Sequence, residues 1–201
     1  MEQNFISELK ALFQKLPGIG PRQANRFIWA LLDFTPHEQQ KLSRAVAELS
    51  SHLRRCQDCF RVFTVTTLDA AVCSFCRPSA LRDGSQIMVV EKDSDLLNIE
   101  RAGLYEGLYH VLGATLDPLN SAEPVRERIK ALYNRAAESK IREVILAMPA
   151  NKMGEFTSEY IRKVLGPLPV KATKLGRGLS AGMELEYADE HTLRHAFNNR
   201  V

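Results

Sequence analysis

The sequence lacks several features that would assign it to a common functional class. It has no stretch of about 18 uninterrupted apolar residues, which a membrane-spanning helix needs, and its first residues, MEQNFISELK, lack the apolar run of a secretory signal. It has no G-x-x-x-x-G-K-[ST] motif, and its glycine-rich segment 176–182 lacks the lysine and hydroxyl of a nucleotide-binding phosphate loop. We therefore expect a soluble, cytoplasmic protein that does not bind ATP.

The sequence also lacks a strong excess of charge of one sign. It contains 27 Lys+Arg and 24 Asp+Glu, a formal net charge of +3, which is too small to make the whole surface basic. Any nucleic-acid site must therefore be local. The 201 residues, 45% of them hydrophobic and 25% charged, have the composition of ordinary globular chains and can build one large or two modest units.

Apolar spacing divides the chain into a helical part and an alternating part. Helical periodicity covers most of residues 5–53, with a turn at Pro17-Gly18, Pro21 at the first position of the second helix, and a capping box from Thr35 to Glu38. From residue 81 onward, short apolar runs alternate with helical stretches, which favours a parallel sheet covered by helices. The runs are 87–90, 108–112, 144–147 and 170–173; the helices lie near 94–102, 125–138 and 155–165, with a last one after Asp189.

The predicted fold class is an α+β multidomain protein with a mostly parallel sheet in its α/β domain. We expect four segments: a helical hairpin region, a small four-cysteine module that is too short and polar for its own core, the α/β domain, and a C-terminal glycine-rich loop, strand and helix. Their predicted bounds are 1–53, 54–80, 81–175 and 176–201.

The first candidate site is the turn Leu16-Pro17-Gly18-Ile19-Gly20-Pro21 between the first two helices. Glycine permits positive φ and close approach of a partner, so the N–H groups around Gly18, Ile19 and Gly20 can converge on an anion at the positive end of the second helix. Arg22 and Arg26 share one helical face beside this turn and can add cationic contacts to a phosphate backbone. An ordinary turn with solvated arginines is the alternative.

The four cysteines form two C-x-x-C pairs, Cys56/Cys59 and Cys73/Cys76, separated by thirteen residues. This spacing brings four thiolates into a tetrahedron, the arrangement that structural Zn²⁺ prefers, and four ligands leave no open position for chemistry. We expect nearby arginines to offset the thiolate charge: Arg54, Arg55, Arg61 and Arg77. The alternative is free buried cysteines or a redox pair.

The third candidate site lies after two predicted strands. Glu91 follows the run 87–90, and Glu155 is the only acidic residue in the segment 148–155 after the next inner strand. Ligands of parallel sheets gather at the carboxyl ends of strands, so both carboxylates are well placed, whereas Asp93 or Ser94 can instead cap the following helix. Phosphoryl transfer with two metal ions needs several carboxylates, which this segment lacks.

Four motifs in order carry a family resemblance: LPGIGPRQANR, then CQDC and CSFC, then IMVVEKDSDLLNIERAGLYEGLYHVLG, then GLSAGMELEYADEHTL. Together they closely resemble the RecR family of bacterial recombination mediators from about residue 5 to residue 199. The resemblance implies a helix-hairpin-helix, a zinc finger, a Toprim domain and a C-terminal segment, with protomers assembling into a ring-like clamp on DNA. It implies partnership with RecO, and often RecF, in helping RecA replace single-strand-binding protein at gaps, in the cytoplasm and at the nucleoid.

By position, the resemblance makes Arg22 and Arg26 the DNA contacts, the four cysteines the zinc ligands, and Glu91 and Glu155 the Toprim acidic positions. The family usually has Glu-Gly-Glu where this chain has Met153-Gly154-Glu155, so one carboxylate is absent. The competing function is a Mg²⁺-dependent Toprim nuclease or primase. That class should carry an Asp-x-Asp pair that residues 144–155 lack, so we expect a non-enzymatic clamp.

Overall fold

The computed structural model describes residues 2–65, 70–78, 80–118, 123–138, 140–176, 178, 179, 182 and 184–198. The chain forms two compact units, Met1–Leu53 and Arg54–Val201. No helix of the described residues is long and apolar enough to cross a membrane.

The first unit is built from helices, as the apolar spacing predicts. They are α1 (Glu2–Phe13), α2 (Pro21–Leu32), α3 (Pro36–Ala47) and the single turn α4 (Leu49–His52). Helices α1 and α2 pack as a hairpin in which Ala24 and Ile28 are buried and the rings of Phe13 and Phe27 lie 5.7 Å apart. The expected third helix is interrupted at Glu48, which caps α3 and precedes α4.

Two predicted helix starts are confirmed in atomic detail. Pro21 occupies the beginning of α2, where its missing N–H costs nothing. At α3, the Thr35 hydroxyl accepts a hydrogen bond from the Glu38 amide, and the Glu38 carboxylate accepts one from the Thr35 amide at 2.8 Å. This capping box satisfies the helix end without help from any ligand.

The second unit begins with a small two-stranded sheet that the sequence analysis did not predict. Strand β1 (Leu53–Arg55) pairs with β2 (Val62–Thr64), and the first cysteine pair lies in the turn between them. Three-residue strands are too short to show an alternating pattern, which explains why periodicity missed them.

The main sheet has four parallel strands in the order β4-β3-β5-β6. They are β3 (Asp83–Val90), β4 (Gly107–Val111), β5 (Glu143–Ala147) and β6 (Lys171–Lys174), with α5 (Asp93–Ala102), α6 (Glu123–Glu138) and α7 (Lys152–Leu165) as connections. Alternate residues of β3 belong to two buried clusters: Ile87 and Val89 pack with α6 and α7, whereas Met88 and Val90 pack with α5. The sheet is therefore covered by helices on both faces, as predicted.

The C-terminal segment differs from the expectation. Its described residues form a short 3₁₀ helix (Leu185–Tyr187) and α8 (Glu190–Asn198), whose first turn Asp189 caps by accepting from the Thr192 amide at 2.9 Å. Among the described residues of this segment there is no strand, and Leu185 and Tyr187 are exposed. Arg177, Ser180 and Ala181 of the glycine-rich segment lie outside the described residues.

Candidate functional site

The turn between α1 and α2 has an open glycine-rich backbone. Gly18 has φ of +79°, a left-handed conformation that favours glycine. Gly20 is different, because its φ of −84° is accessible to any residue and a Cβ there would meet nothing within 4 Å. Neither conformation nor internal packing requires glycine at position 20. What a side chain would obstruct is the space outside the turn.

The end of α2 is left without a side-chain cap. Gly20 is the N-cap residue and offers no side chain, and Pro21 has no N–H. The next amides, those of Arg22 and Gln23, therefore form the positive N-terminal end of the helix. Arg22 and Arg26 are exposed, one turn apart, beside these amides. Helix α3, in contrast, has its N-terminal end closed by its own capping box. The uncapped helix end is therefore a feature of the hairpin.

The four cysteine sulfurs converge on one point. They lie within 4.8 Å of one another, and the Sγ atoms of Cys59 and Cys73 are 3.6 Å apart. Four sulfurs in a tetrahedron around Zn²⁺, at about 2.3 Å from the metal, would be about 3.8 Å apart, so the donor set fits a closed zinc site. Among the described residues, no other group of three or more His, Cys, Asp or Glu side chains converges in this way.

Backbone and charged groups surround these sulfurs. The Cys73 amide donates to Cys56 Sγ at 3.3 Å, and Arg135 Nη2 lies 3.8 Å from Cys76 Sγ. Donors of this kind stabilise negative sulfur, which is the form that binds metal.

The structure places Glu91 and Glu155 at the carboxyl edge of the main sheet. Glu91 directly follows β3, Glu155 lies in the first turn of α7 after β5, and the two strands are neighbours with Val90 opposite Ala147. Each carboxylate faces a lysine. Lys92 Nζ is 3.6 Å from Glu91, and Lys174 Nζ is 2.5 Å from Glu155.

Comparisons with known proteins agree with this geometry. The Toprim domain family matches residues 85–176, and the RecR C-terminal family matches residues 178–201. A protein of Rubrobacter xylanophilus called recombination protein RecR is 40% identical over 195 residues, covering 97% of this chain and 95% of that protein. Proteins of the same name from Cutibacterium acnes and Staphylococcus saprophyticus are each 38% identical over 196 residues, covering 98% of this chain and 94% and 96% of theirs. The chain belongs to the RecR family.

The cysteine module of this RecR family member packs against the Toprim sheet. Strand β4 is an edge strand, and three of its backbone groups, on Gly107, Tyr109 and Val111, bond to groups outside the neighbouring strand. The Gly107 carbonyl accepts from Arg82 Nε at 2.7 Å, and the Tyr109 carbonyl accepts from Arg135 Nη1 at 2.7 Å. The Val111 amide donates to the Cys59 carbonyl at 2.8 Å. The module and two guanidinium groups thus occupy part of an edge that would otherwise be open to another strand.

Aromatic and cationic side chains extend this contact. The guanidinium groups of Arg61 and Arg82 lie 4.1 Å and 4.5 Å from the centre of the Phe75 ring, and Phe75 packs near Tyr109 with ring centres 6.0 Å apart. Arg82 also pairs with Glu100 at 2.7 Å. Arg61 therefore contributes to packing of the module, as a cation over an aromatic face, rather than to the sulfurs.

Helix α5 starts in a different way from the one the sequence suggests. Neither Asp93 nor Ser94 is the N-cap. Lys92 occupies that position, and Asp95 accepts from the Lys92 amide at 2.9 Å. Asp93 instead accepts from the Val62 amide of the cysteine module at 2.8 Å, because a long-range donor competes successfully for its carboxylate.

His110 is buried at the same junction. Its Nε2 lies 2.9 Å from the Arg128 carbonyl, which can only accept, so Nε2 carries the hydrogen. Nδ1 is buried with no hydrogen-bond partner among the described residues, and the ring meets Phe60 edge-on at 5.3 Å. Burial lowers the pKa of His110 to about 3, so the side chain is neutral. The sequence offered no signal for this role.

Sequence reasoning also missed Arg135. The cations expected beside the sulfurs were arginines close to the cysteines in the chain. Arg135 is 59 residues from Cys76 and reaches it from α6. Arg55 is one of the arginines expected to offset the charge of the thiolates. It donates to the Phe60 carbonyl at 2.9 Å and so stabilises the turn of the module.

Proposed function

We propose that this chain is a non-enzymatic DNA-binding recombination mediator. It acts in recombinational repair as an oligomeric clamp, and works with RecO and, where it is present, RecF to load RecA at gaps covered by single-strand-binding protein. The observation that carries the proposal is the open, uncapped end of α2 at Gly20, flanked by the exposed Arg22 and Arg26. The name recombination protein RecR, carried by relatives along nearly the whole chain, supports it.

The chemistry of this turn fits a phosphate backbone rather than base edges. Backbone amides at a helix end and two arginines bind phosphate oxygens without reading sequence, so binding is sequence-tolerant. One such contact holds DNA weakly, with dissociation constants on the order of 10⁻⁴ to 10⁻⁶ M for non-specific binding. Several hairpins on one strand or duplex are needed to retain it.

Self-association supplies those additional hairpins. The first unit buries few of its apolar side chains and exposes several large ones, including Phe5, Trp29, Leu32 and Val46, each more than half exposed. A second copy of the same helices offers the same apolar surface in return, and this pairing is the simplest way to cover it. The copies assemble into the ring that surrounds DNA.

The four cysteines hold one structural Zn²⁺ per chain. The sulfur geometry supports this assignment, and four protein ligands leave the metal no open position for substrate. The metal therefore stabilises the module and, through Asp93 and the Cys59 carbonyl, its packing on the Toprim sheet.

The test of DNA binding is replacement of both Arg22 and Arg26 by alanine. A matched control replaces Arg101 and Arg126, which are exposed on α5 and α6, so the net charge changes equally. The hairpin variant should bind single-stranded DNA more weakly, and its slope of log affinity against log salt should fall in magnitude by about two, one for each lost phosphate contact. Oligomer mass and zinc content should stay unchanged. A slope equal to that of the control would refute this role of the hairpin.

A further inference from the structure

The carboxyl edge of the Toprim sheet carries cations of its own. We propose that Lys174 and Lys92 take the place of a divalent metal at this edge, so that the acidic positions of the Toprim domain form a closed, metal-independent set of ion pairs. This inference goes beyond the mediator function and does not depend on it, because it concerns metal binding by the Toprim domain alone.

Lys174 lies at the end of β6, opposite Leu146 of β5, and its side chain reaches back over the edge. Its Nζ is 2.5 Å from Oε1 of Glu155 and 2.7 Å from Oε1 of Glu159. Partial burial disfavours the charged ammonium, but the two carboxylates outweigh that cost and raise the pKa of Lys174. In turn, the hydrogen bond from Lys174 lowers the pKa of Glu159. One ammonium therefore sits between two carboxylates, in the place that a cation bridging them would occupy.

The carboxylates that follow β3 are engaged as well. Glu91, whose side chain is 15% exposed, faces Lys92 at 3.6 Å. Asp93 accepts from the Val62 amide, and Asp95 accepts from the Lys92 amide. These two carboxylates already accept backbone hydrogen bonds that fix the cysteine module and the start of α5.

The glutamates at this edge are compensated by cations. Lys92 pairs with Glu91, Lys174 lies between Glu155 and Glu159, and Arg162 is 3.1 Å from Glu159. Mg²⁺ binds where one or two uncompensated carboxylates and several waters surround it in an octahedron, and it gives up water reluctantly. Replacing an ammonium that already makes two short contacts would cost two ion pairs. The position occupied by Met153 adds no ligand to compensate for them.

Binding of Mn²⁺ to the full-length, zinc-loaded protein tests the proposal. Mn²⁺ is a paramagnetic substitute for Mg²⁺, so bound ions broaden the NMR signals of nearby amides. The informative variants are Lys174→Met and Lys174→Gln, and Lys171→Met is the control, since Lys171 is an exposed lysine at the start of the same strand. Circular dichroism establishes that each variant is folded before the titration.

In the wild type and in the control, Mn²⁺ should leave the amides of residues 91, 154 and 155 no broader than exposed amides elsewhere. In both Lys174 variants, Glu155 and Glu159 lose the lysine between them and should gain Mn²⁺ affinity by about tenfold or more, because removal of one close positive charge is worth at least that factor. Saturable broadening in the wild type that Glu155→Gln removes would overturn the proposal. Lys174 variants that respond like the control would overturn it as well.

Discussion

Replacing Arg135 by methionine should weaken both the zinc site and the edge of the Toprim sheet. Methionine keeps much of the unbranched apolar stem and removes only the guanidinium group, which donates to the Tyr109 carbonyl at 2.7 Å and lies 3.8 Å from Cys76 Sγ. Tyr109 is fully buried, so water cannot replace the lost donor without rearrangement of the edge. The cysteine cluster loses its nearby cation at the same time.

The size of both effects follows from the contacts. A buried carbonyl left without its donor costs about 1–3 kcal/mol, so we expect the second unit to lose about 2 kcal/mol of its free energy of unfolding. With a urea dependence of about 2 kcal/mol per molar, the unfolding midpoint should fall by about 1 M. Loss of a group that supports a metal ligand from outside typically lowers metal affinity by about 10–100-fold.

Two measurements separate these effects. Urea unfolding in excess zinc, followed by far-UV circular dichroism, gives the change in free energy of unfolding. Competition with a chromophoric chelator gives the zinc affinity. Arg126→Met is the matched control, because Arg126 is an exposed arginine on the same helix. If Arg135→Met matched this control in both measurements, the guanidinium would have no role in joining the cysteine module to the sheet.

Three further predictions test the same unit. Cys56→Ser should lose zinc, as measured by elemental analysis, and unfold at lower urea, because a closed site contributes its binding energy to folding; retention of one zinc per chain would contradict it. Because the pKa of His110 is about 3 in the fold and about 6.5 when unfolded, the unfolded chain takes up the proton first, so stability should be full above about pH 6.5 and decrease as the pH falls toward 3. An imidazole NMR signal of His110 that titrates near 6.5 in the native protein would refute this. Asp93→Ala should speed hydrogen exchange of the Val62 amide while Asp93→Asn, which keeps the acceptor oxygen, should not; equal exchange in both would show that the bond is unimportant.

The parts of the molecule that the sequence predicts well are those decided by neighbours in the chain. The capping box from Thr35 to Glu38 follows from residue types three apart, and proline at the start of α2 follows from its fixed φ. The two C-x-x-C pairs predict converging sulfurs because each pair is held in a short turn. The succession of strands and helices along the chain from residue 81 follows from the change of apolar period.

The parts that it does not predict depend on partners far apart in the chain. Arg135 meets Cys76 across 59 residues, and Asp93 meets Val62 across 31. In the sequence, nothing distinguishes Lys174 from other surface lysines. Its contact with Glu155 depends on the pairing of β6 with β5. The preference of aspartate for helix N-caps predicts that Asp93 caps α5. That preference is local and contains no information about the donor from the cysteine module. The sequence therefore locates the candidate sites, whereas the fold decides what each charged side chain does in them.

The cysteine module covers part of the exposed edge of the main sheet. Strand β4 is the edge of a parallel sheet, and its outward groups would pair readily with a strand of another molecule. The Cys59 carbonyl occupies one of these groups, and Arg135, held against Cys76, occupies another. We expect loss of a metal from the four cysteines to loosen both contacts. The module thus covers two backbone groups of a sheet edge, and such cover limits pairing of β4 with a strand of another molecule.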